Sequence, residues 1–253
     1  MSRVASTKVD RIPADGLGMH LYTVRDALAA DPPGTLTALA RMGYTCVGVS
    51  SFPRPPAEIR DLCAAAGLDP VVLHVSHDEL TGDLAATLDA ARTIGVRWLA
   101  LSMFPRAMYT AAGMRLGARQ LNDAGAVARE HGIGVLHHNH AAEFAEGRYD
   151  VLLAETDPAT VGFELDVGWA HQAGADVRGL FAAHPGRFPV LHVKDHDGTG
   201  GWTDVGTGVV DFAHAFGTAR AGGVRYWLVE RDDQPAPLDT ARRSHDFLEG
   251  LRF

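Results

Sequence analysis

The stretch of sequence that decides the fold lies just past the middle of the chain. Residues 132–144 read Gly-Ile-Gly-Val-Leu-His-His-Asn-His-Ala-Ala-Glu-Phe. The apolar run from Ile133 to Leu136 is typical of a buried β-strand, and three imidazoles, an amide and a carboxylate follow it directly. Because such metal-binding groups rarely serve packing at the exit of a core strand, the stretch indicates a functional site rather than a loop of solvated histidines.

On both sides of this stretch, short apolar runs alternate with helical segments that end at glycine. Eight runs are predicted to be strands: 16–22, 46–49, 69–75, 96–102, 133–138, 161–166, 190–193 and 225–229. The runs are mostly apolar rather than alternating between polar and apolar residues, which is expected of parallel strands that helices cover on both faces.

Eight strand–helix units in a chain of 253 residues match a (β/α)8 barrel, the TIM barrel. An open doubly wound sheet usually has fewer strands and a glycine-rich phosphate turn after its first strand, whereas residues 22–26 contain no glycine. We therefore predict an α/β fold with a single TIM-barrel domain over residues 16–253, preceded by an N-terminal arm of residues 1–15.

The composition narrows the class of partner. The net charge is −8, so no nucleic-acid or membrane partner is expected, since phosphate neutralisation needs clustered Lys and Arg. No apolar run approaches the roughly 18 residues of a membrane span. The two cysteines, Cys46 and Cys63, are too few for a disulfide framework and indicate a reducing, cytoplasmic environment. We expect a small-molecule substrate, and a homo-oligomer is compatible with the sequence.

Polar groups near the strand ends predict the site, because the active site of such a barrel forms at the C-terminal ends of its strands. Strands five to eight end on, or lead into, Glu143, Asp166, His192 and Glu230. Three carboxylates and one imidazole suit a divalent ion, with Mn²⁺ as our first choice and Mg²⁺, Co²⁺ or Zn²⁺ as alternatives. Alternate residues of a strand share a face, but one strand alone does not reveal which face is inward.

Seven short motifs, taken in order, match a known family of barrels. They are GMHLYTVRD (18–26), LNDAG (121–125), HNHAAEF (138–144), ELDVGW (164–169), HVKD (192–195), GTGVVDF (206–212) and VERD (229–232). Through them the chain resembles, over about residues 16 to 250, the xylose-isomerase-like barrels, often labelled sugar phosphate isomerase/epimerase. The resemblance implies a divalent metal held by strands five to eight, with the family's aspartate, histidine and final glutamate falling on Asp166, His192 and Glu230.

The sequence departs from the family's pattern at two strands. Many members end strand five on a glutamate, whereas this chain has His137 or His138 there, and Glu143 follows about five residues later. We expect the strand exit to bring Glu143 back to the metal; the alternative is that His138 is the fourth ligand. The family also often has a glutamate in strand two, where this chain has Gly48.

The resemblance implies a metal-dependent sugar or keto-sugar isomerase or epimerase, which removes a proton next to a carbonyl and forms a metal-stabilised enediolate. Glu143 and Glu230 are the expected acid/base pair. His138 and His140 are expected to protonate a leaving group or to support the ligands, and Lys194 to neutralise an oxyanion. The alternative is a lyase, dehydratase or hydratase on a keto-glycoside, keto-sugar or inosose, in which β-elimination follows the same first step.

Four further residues are expected to contact the substrate: His74, Asn139, Trp169 and Asp195. Two other classes of protein are alternatives to these enzymes. A metal-dependent endonuclease for abasic DNA would need a basic rim and more metal ligands, and the net charge of −8 argues against it. A sugar-binding protein without catalytic activity would show no turnover when metal is added.

Overall fold

The computed structural model describes residues 10–50, 52–233 and 235–253, which form a closed barrel of eight parallel strands. The barrel strands are β1 (Leu17–His20), β2 (Cys46–Val49), β3 (Asp69–Val75), β4 (Trp98–Leu101), β5 (Gly134–His138), β6 (Val161–Asp166), β7 (Val190–Val193) and β10 (Tyr226–Val229). They follow one another around the barrel in chain order, and β10 closes it against β1. The predicted α/β fold, a TIM barrel, is confirmed.

A short antiparallel hairpin follows β7 directly and was not predicted. Its strands are β8 (Asp195–His196) and β9 (Trp202–Thr203), which pair with each other and not with the barrel. Because it leaves the C-terminal end of a barrel strand, the hairpin lies on the side of the barrel where the site was expected.

Helices connect the strands and cover the outside of the barrel. Among the described residues they are α1 (Arg25–Ala30), α2 (Pro32–Met42), α3 (Pro56–Ala66), α4 (His77–Thr81), α5 (Leu84–Ile94), α6 (Ala111–Glu130), α7 (Ala141–Phe144), α8 (Arg148–Glu155), α9 (Val167–Gln172), α10 (Val177–Ala183), α11 (Phe212–Phe216), α12 (Ala219–Gly222) and α13 (Pro237–Gly250). Their apolar faces and the outward faces of the strands form the main hydrophobic core.

The sequence predicts one continuous helix over residues 80–94 and another over residues 210–220, and both are interrupted in the structure. The predicted helix 80–94 is α4 followed by α5, because Asp83 caps a new helix by accepting the backbone N–H of Ala86. The predicted helix 210–220 is α11 followed by α12, with a break at Gly217 and Thr218. Both breaks lie on the outside of the barrel and leave the strand ends where they were predicted.

The inside of the barrel consists of an apolar floor and a polar layer above it. The apolar floor is formed by side chains that pack together from six strands: Cys46, Val72, Ala100, Leu136, Val190 and Leu228. Two residues further along those strands come Gly48, His74, Ser102, His138, His192 and Glu230. Residues two apart on a strand point to the same side. Because the residues of the apolar floor point into the barrel, the residues two positions further along also point into it.

The predicted N-terminal arm falls largely outside the described residues, which begin at Asp10. Asp10 and Phe253 exchange two backbone hydrogen bonds of 2.6 and 3.0 Å, so residues 10 and 253 lie side by side. In the described part of the chain, every helix is too short or too polar to cross a membrane.

Candidate metal centre

Four side chains from four neighbouring strands meet at the C-terminal end of the barrel. His138 ends β5, Asp166 ends β6, His192 lies in β7 and Glu230 follows β10. Each offers one nitrogen or oxygen atom, and these atoms all lie within 4.8 Å of one another. All four residues are buried. We call this set the four-residue cluster.

The donor atoms of the four-residue cluster fit a metal ion. Nδ1 of His138 is buried and has no hydrogen-bond partner among the described residues. The other three donor atoms, Oδ2 of Asp166, Nδ1 of His192 and Oε2 of Glu230, contact one another and Nζ of Lys194 at 2.7–4.0 Å. A buried polar atom that lacks a partner costs about 1–3 kcal/mol, and a bound ion would give His138 its missing partner. Two imidazoles with two carboxylates suit Mn²⁺, Co²⁺ or Zn²⁺ better than Mg²⁺, which prefers oxygen ligands.

Lys194 provides a positive charge beside the cluster. Its Nζ lies 3.3 Å from Oδ2 of Asp166, 3.0 Å from Oε2 of Glu230 and 3.0 Å from Oδ1 of Asp232. Burial lowers the pKa of Lys194, but these three carboxylates outweigh burial and raise it, so the ammonium group stays charged. Burial raises the pKa of Asp166 to about 6 against the opposing effect of Lys194.

His192 lies between two carboxylates. Its Nδ1 is 2.7 Å from Oε2 of Glu230, and its Nε2 is 3.1 Å from Oε1 of Glu164. Burial lowers the pKa of His192, but the two carboxylates reverse this effect and raise it to about 10. Glu164 is also held by His74, whose Nε2 lies 2.6 Å from Oε2 of Glu164. The buried carboxylates therefore attract positive charge into this end of the barrel.

Glu143 lies outside the four-residue cluster. It sits in α7, where its Oε2 accepts the backbone N–H of His140 at 3.0 Å and its Oε1 accepts the hydroxyl of Tyr109 at 3.0 Å. Because the chain turns into α7 as soon as β5 ends, the carboxylate binds that helix start instead of reaching back to the strand ends. The structure brings His138, the alternative, to the position expected for Glu143.

The two histidines at the end of β5 face opposite sides. His138 points into the barrel, whereas His137 stacks on Phe104 with a centroid distance of 4.9 Å and packs edge-on against Phe163. Burial lowers the pKa of His137 to about 3, so its ring is a neutral part of the outer core. Of the two, only His138 belongs to the four-residue cluster.

His140 and Trp169 flank the cluster on the side of the barrel mouth. The ring of His140 lies 4.9 Å from that of His138 and 5.6 Å from that of Trp169. Trp169 packs edge-on against Trp202 of β9 at 4.6 Å, and Nζ of Lys194 lies 5.2 Å from the centre of the Trp202 ring. The hairpin thus adds an aromatic wall beside two residues that the sequence predicted for the site.

Two predicted substrate contacts are already bonded to the backbone. Asn139 accepts the N–H of Asp166 at 3.0 Å and donates to its carbonyl at 3.3 Å, which ties the exit of β5 to β6. Asp195 accepts four backbone N–H groups at 2.9–3.2 Å, those of His196, Gly206, Gly208 and Val210. In this structure both side chains hold loops and strand ends in place.

His20 occupies the space beside Gly48, the position in strand two where many family members have a glutamate. A Cβ atom on Gly48 would lie 2.8 Å from Cδ2 of His20 and 2.8 Å from Cδ1 of Leu228, so no larger side chain fits there. His20 itself contacts the cluster, because its Nδ1 lies 3.0 Å from Oε1 of Glu230. The imidazole of His20 on β1 therefore occupies the space that a side chain from β2 would otherwise enter.

Sequence reasoning gave no role to Glu164, His20 or Tyr109. The period of two along a strand offered a signal for Glu164, which stands two residues before Asp166 on β6. His20 lies within the predicted first strand, 16–22, and was considered only as one of its polar side chains, together with Tyr22. Tyr109 lies in the connection after β4, where no pattern distinguishes it from its neighbours.

The geometry agrees with a comparison of the sequence with protein families. A family model described as "Xylose isomerase-like TIM barrel" matches residues 36–251. The chain belongs to the xylose isomerase-like TIM barrel family. The family resemblance predicted from the seven motifs is thereby confirmed, and the matched residues include all four members of the cluster.

Individual relatives in the xylose isomerase-like family are distant. An inosose dehydratase of Lactiplantibacillus plantarum is 28% identical over 153 residues, which cover 51% of this chain and 51% of that protein. The chain thus spans about half the length of the curated relatives it matches. A sugar phosphate isomerase/epimerase from Parabacteroides distasonis superposes with a TM-score of 0.83 at 21% identity, covering 98% of this chain and 99% of that chain.

A third relative is the IolI protein with a bound zinc atom. It superposes with a TM-score of 0.73 at 13% identity, covering 92% of this chain and 98% of that chain. At these identities, the two solved structures establish the shared fold.

Proposed function

We propose that this chain is a divalent-metal-dependent enzyme that removes a proton next to the carbonyl group of a sugar or keto-sugar. The observation that carries the proposal is the four-residue cluster, with Lys194 beside it, at the end of the barrel where such enzymes act. Membership in the xylose isomerase-like family supports it, and so does the zinc atom bound by the IolI protein.

The residues of the cluster have distinct tasks in this proposal. His138, Asp166, His192 and Glu230 would hold the ion. When bound, a divalent ion supplies Lewis-acid polarisation of a carbonyl group, which makes the neighbouring C–H bond more acidic. Lys194 stays charged between its carboxylates, and its ammonium group balances the negative charge that develops on the substrate oxygen.

His140 is the residue that we assign to carry the proton. Its ring borders both His138 and Trp169, and its Nδ1 is buried with no hydrogen-bond partner in the described part of the chain. Glu230, the base expected from the sequence, is less available, because other side chains contact both of its oxygens at 2.7–3.0 Å. A well-placed general base contributes about 10²–10⁴-fold to the rate.

Elimination is the outcome that we favour. His140 takes the proton next to the carbonyl, and the electron pair of that C–H bond forms a carbon–carbon double bond. The bond between the next carbon and its oxygen substituent breaks, and His140 returns the proton to the departing oxygen as water or an alcohol. Epimerisation would need a second acid/base residue, and Glu143, expected in that role, is bonded to Tyr109 and the N–H of His140. The inosose dehydratase relatives support elimination.

Isomerisation is the second candidate, because one base is sufficient for it. A protonated His140 that returned its proton to the neighbouring carbon, rather than to a leaving oxygen, would interconvert a ketose and an aldose. The relatives described as sugar phosphate isomerase/epimerase support this outcome at the level of the fold.

The experiment that tests the proposal combines metal removal with product analysis. The chain is stripped with a chelator, reloaded with Mn²⁺, Co²⁺ or Zn²⁺, and incubated in deuterated water with keto-sugars, inososes and aldoses. Elimination gives an unsaturated ketone and a released water or alcohol in the NMR spectrum, whereas isomerisation gives an isomer that carries deuterium. Full activity after complete metal removal, or no turnover with any of these ions, would overturn the proposal.

A further inference from the structure

We propose that Glu164 is a positioning residue that holds the imidazole of His192 in the orientation needed to bind the metal. This inference rests on the proposed function, since it concerns the same four-residue cluster. Glu164 is not a member of the cluster. It stands two residues before Asp166 on β6, one level deeper in the barrel, with its backbone opposite His138 of β5.

Imidazoles from three different strands surround the carboxylate of Glu164. Its Oε1 lies 3.1 Å from Nε2 of His192, and its Oε2 lies 2.6 Å from Nε2 of His74. Nδ1 of His138 lies 3.8 Å from the same Oε2, beyond hydrogen-bond reach. One carboxylate therefore stands behind both imidazoles of the four-residue cluster, and bonding distances link it to His192 and His74.

The contact with His192 determines which of its ring nitrogens faces the cluster. A neutral imidazole carries one N–H and one lone pair, and a carboxylate can only accept. In a ring made neutral by metal binding, an N–H on Nε2 directed at Glu164 leaves the lone pair on Nδ1, which lies 2.7 Å from Oε2 of Glu230 and 4.0 Å from Oδ2 of Asp166. A ring turned over would present carbon atoms to the cluster. Metal-binding histidines commonly donate their other ring N–H to a carboxylate in this way.

Packing gives no reason for a carboxylate at this position. Glu164 is 0% exposed, and the apolar floor, with Leu136 and Val190, lies directly below it. A buried carboxylate is costly unless it is paired, and a methionine or glutamine would fill the same volume. Its two close partners are the imidazoles of His192 and His74, and His192 belongs to the cluster, so the carboxylate is explained by what it does to those rings.

His74 completes the arrangement on the side away from the cluster. Its Nδ1 lies 3.1 Å from Oγ of Ser102, so both nitrogens of the ring have partners, one on β6 and one just beyond β4. His20, His74 and His192 also bring ring nitrogens within 4.8 Å of one another, as a second metal ion would require. The 2.6 Å between His74 and Glu164 is a hydrogen-bond distance and leaves no room for an ion between those atoms.

The test measures metal binding directly rather than activity. Mn²⁺ affinity is determined by calorimetry, and the number of ions per chain by elemental analysis, for the wild-type chain, Glu164→Gln, Glu164→Asp and Glu143→Gln. Glu143→Gln is the matched control, because it changes a carboxylate that is equally buried but touches neither His138 nor His192. Circular dichroism establishes that each variant folds.

We expect one ion per chain and a loss of Mn²⁺ affinity of about 10–100-fold in Glu164→Gln, with Glu143→Gln within about twofold of wild type. Glu164→Asp keeps the negative charge but is one methylene too short to reach His192. If Glu164 acts by positioning, the Mn²⁺ affinity of this variant should also be lower than that of wild type. Recovery of wild-type affinity in Glu164→Asp, or wild-type affinity in Glu164→Gln, would overturn the inference.

A second ion in the wild-type chain that Glu164→Gln loses would also overturn it, since Nε2 of His192 would then be a ligand. Absence of any metal binding by the wild-type chain would overturn the proposed function itself, and with it the basis of this inference. The two failures are therefore distinguishable.

Discussion

The hydroxyl of Tyr109 donates a 3.0 Å hydrogen bond to Oε1 of Glu143, and this contact turns the carboxylate away from the four-residue cluster. The other oxygen accepts the N–H of His140, so both oxygens of Glu143 have partners within its own region of the chain. His138 is therefore the residue that β5 contributes to the four-residue cluster. A carboxylate that the sequence marked as a metal ligand therefore serves the conformation of the loop after β5.

Removing the Tyr109–Glu143 contact should lower stability without affecting the metal. Tyr109→Phe deletes one partly buried hydrogen bond, so the free energy of unfolding should fall by about 1 kcal/mol in chemical denaturation. Calorimetry should give a Mn²⁺ affinity within about twofold of wild type. A large loss of affinity in this variant would place Glu143 back among the ligands.

His138→Asn should remove a ligand and reduce Mn²⁺ affinity by more than about 100-fold, since even residues that only support a ligand cost 10–100-fold. The neighbouring variant His137→Asn is the matched control. It disturbs the ring that stacks on Phe104 and should lower the melting temperature while leaving Mn²⁺ affinity unchanged. Equal losses of affinity in the two variants would contradict the assignment of His138.

Lys194→Met should destabilise the metal-free chain more than the metal-loaded chain. Without the ammonium group, the carboxylates of Asp166, Glu230 and Asp232 lose a shared buried cation, which typically costs about 3–5 kcal/mol. A bound divalent ion restores part of that compensation. Mn²⁺ should therefore raise the melting temperature of the variant by more than it raises that of wild type, and an equal or smaller rise would count against the prediction.

Asp204, which lies outside the four-residue cluster, should make stability depend on acid pH. Burial raises its pKa, but Thr240 and Arg231, which bond Oδ1 at 2.8 and 2.7 Å, outweigh burial and hold it below the ordinary value of 3.8. A carboxyl group whose pKa is lowered on folding stabilises the fold above its ordinary pKa and loses this contribution as the pH falls.

The matched variant for that effect is Asp204→Asn. The difference in unfolding free energy between wild type and Asp204→Asn should be constant near neutral pH and should shrink below about pH 4. Denaturation curves at a series of pH values measure it. A difference that grew as the pH fell would show that the carboxylate is not stabilised by these partners.

The barrel could be predicted from the sequence because each of its strands is a short apolar run with a turn signal behind it. Asp69–Val75 and Val161–Asp166 were predicted to the residue. The hairpin of β8 and β9 could not be predicted, since each of its strands has only two residues and no periodicity.

The candidate site was predicted only in part, for a physical reason that Glu143 and Glu164 illustrate. Strand ends bring Asp166, His192 and Glu230 together whatever the loops do, because the closed barrel determines their spacing. Glu143 lies in a loop, and its direction depends on Tyr109, which is 34 residues away in the chain. Glu164 was not predicted as a site residue, because the sequence of a single strand does not reveal which of its faces points into the barrel. The packing of the apolar floor shows which face is inward.

The apolar floor closes the N-terminal end of the barrel interior, so the polar layer is reached from the C-terminal end. Cys46, Val72, Leu136, Val190 and Leu228 close its base with tightly packed hydrocarbon, so neither water nor an ion can enter from below. Under the proposed function, an ion and a substrate would both enter from the C-terminal end of the barrel, and the deeper of the two would arrive first and leave last. A substrate bound above the four-residue cluster would then slow the escape of the ion during turnover.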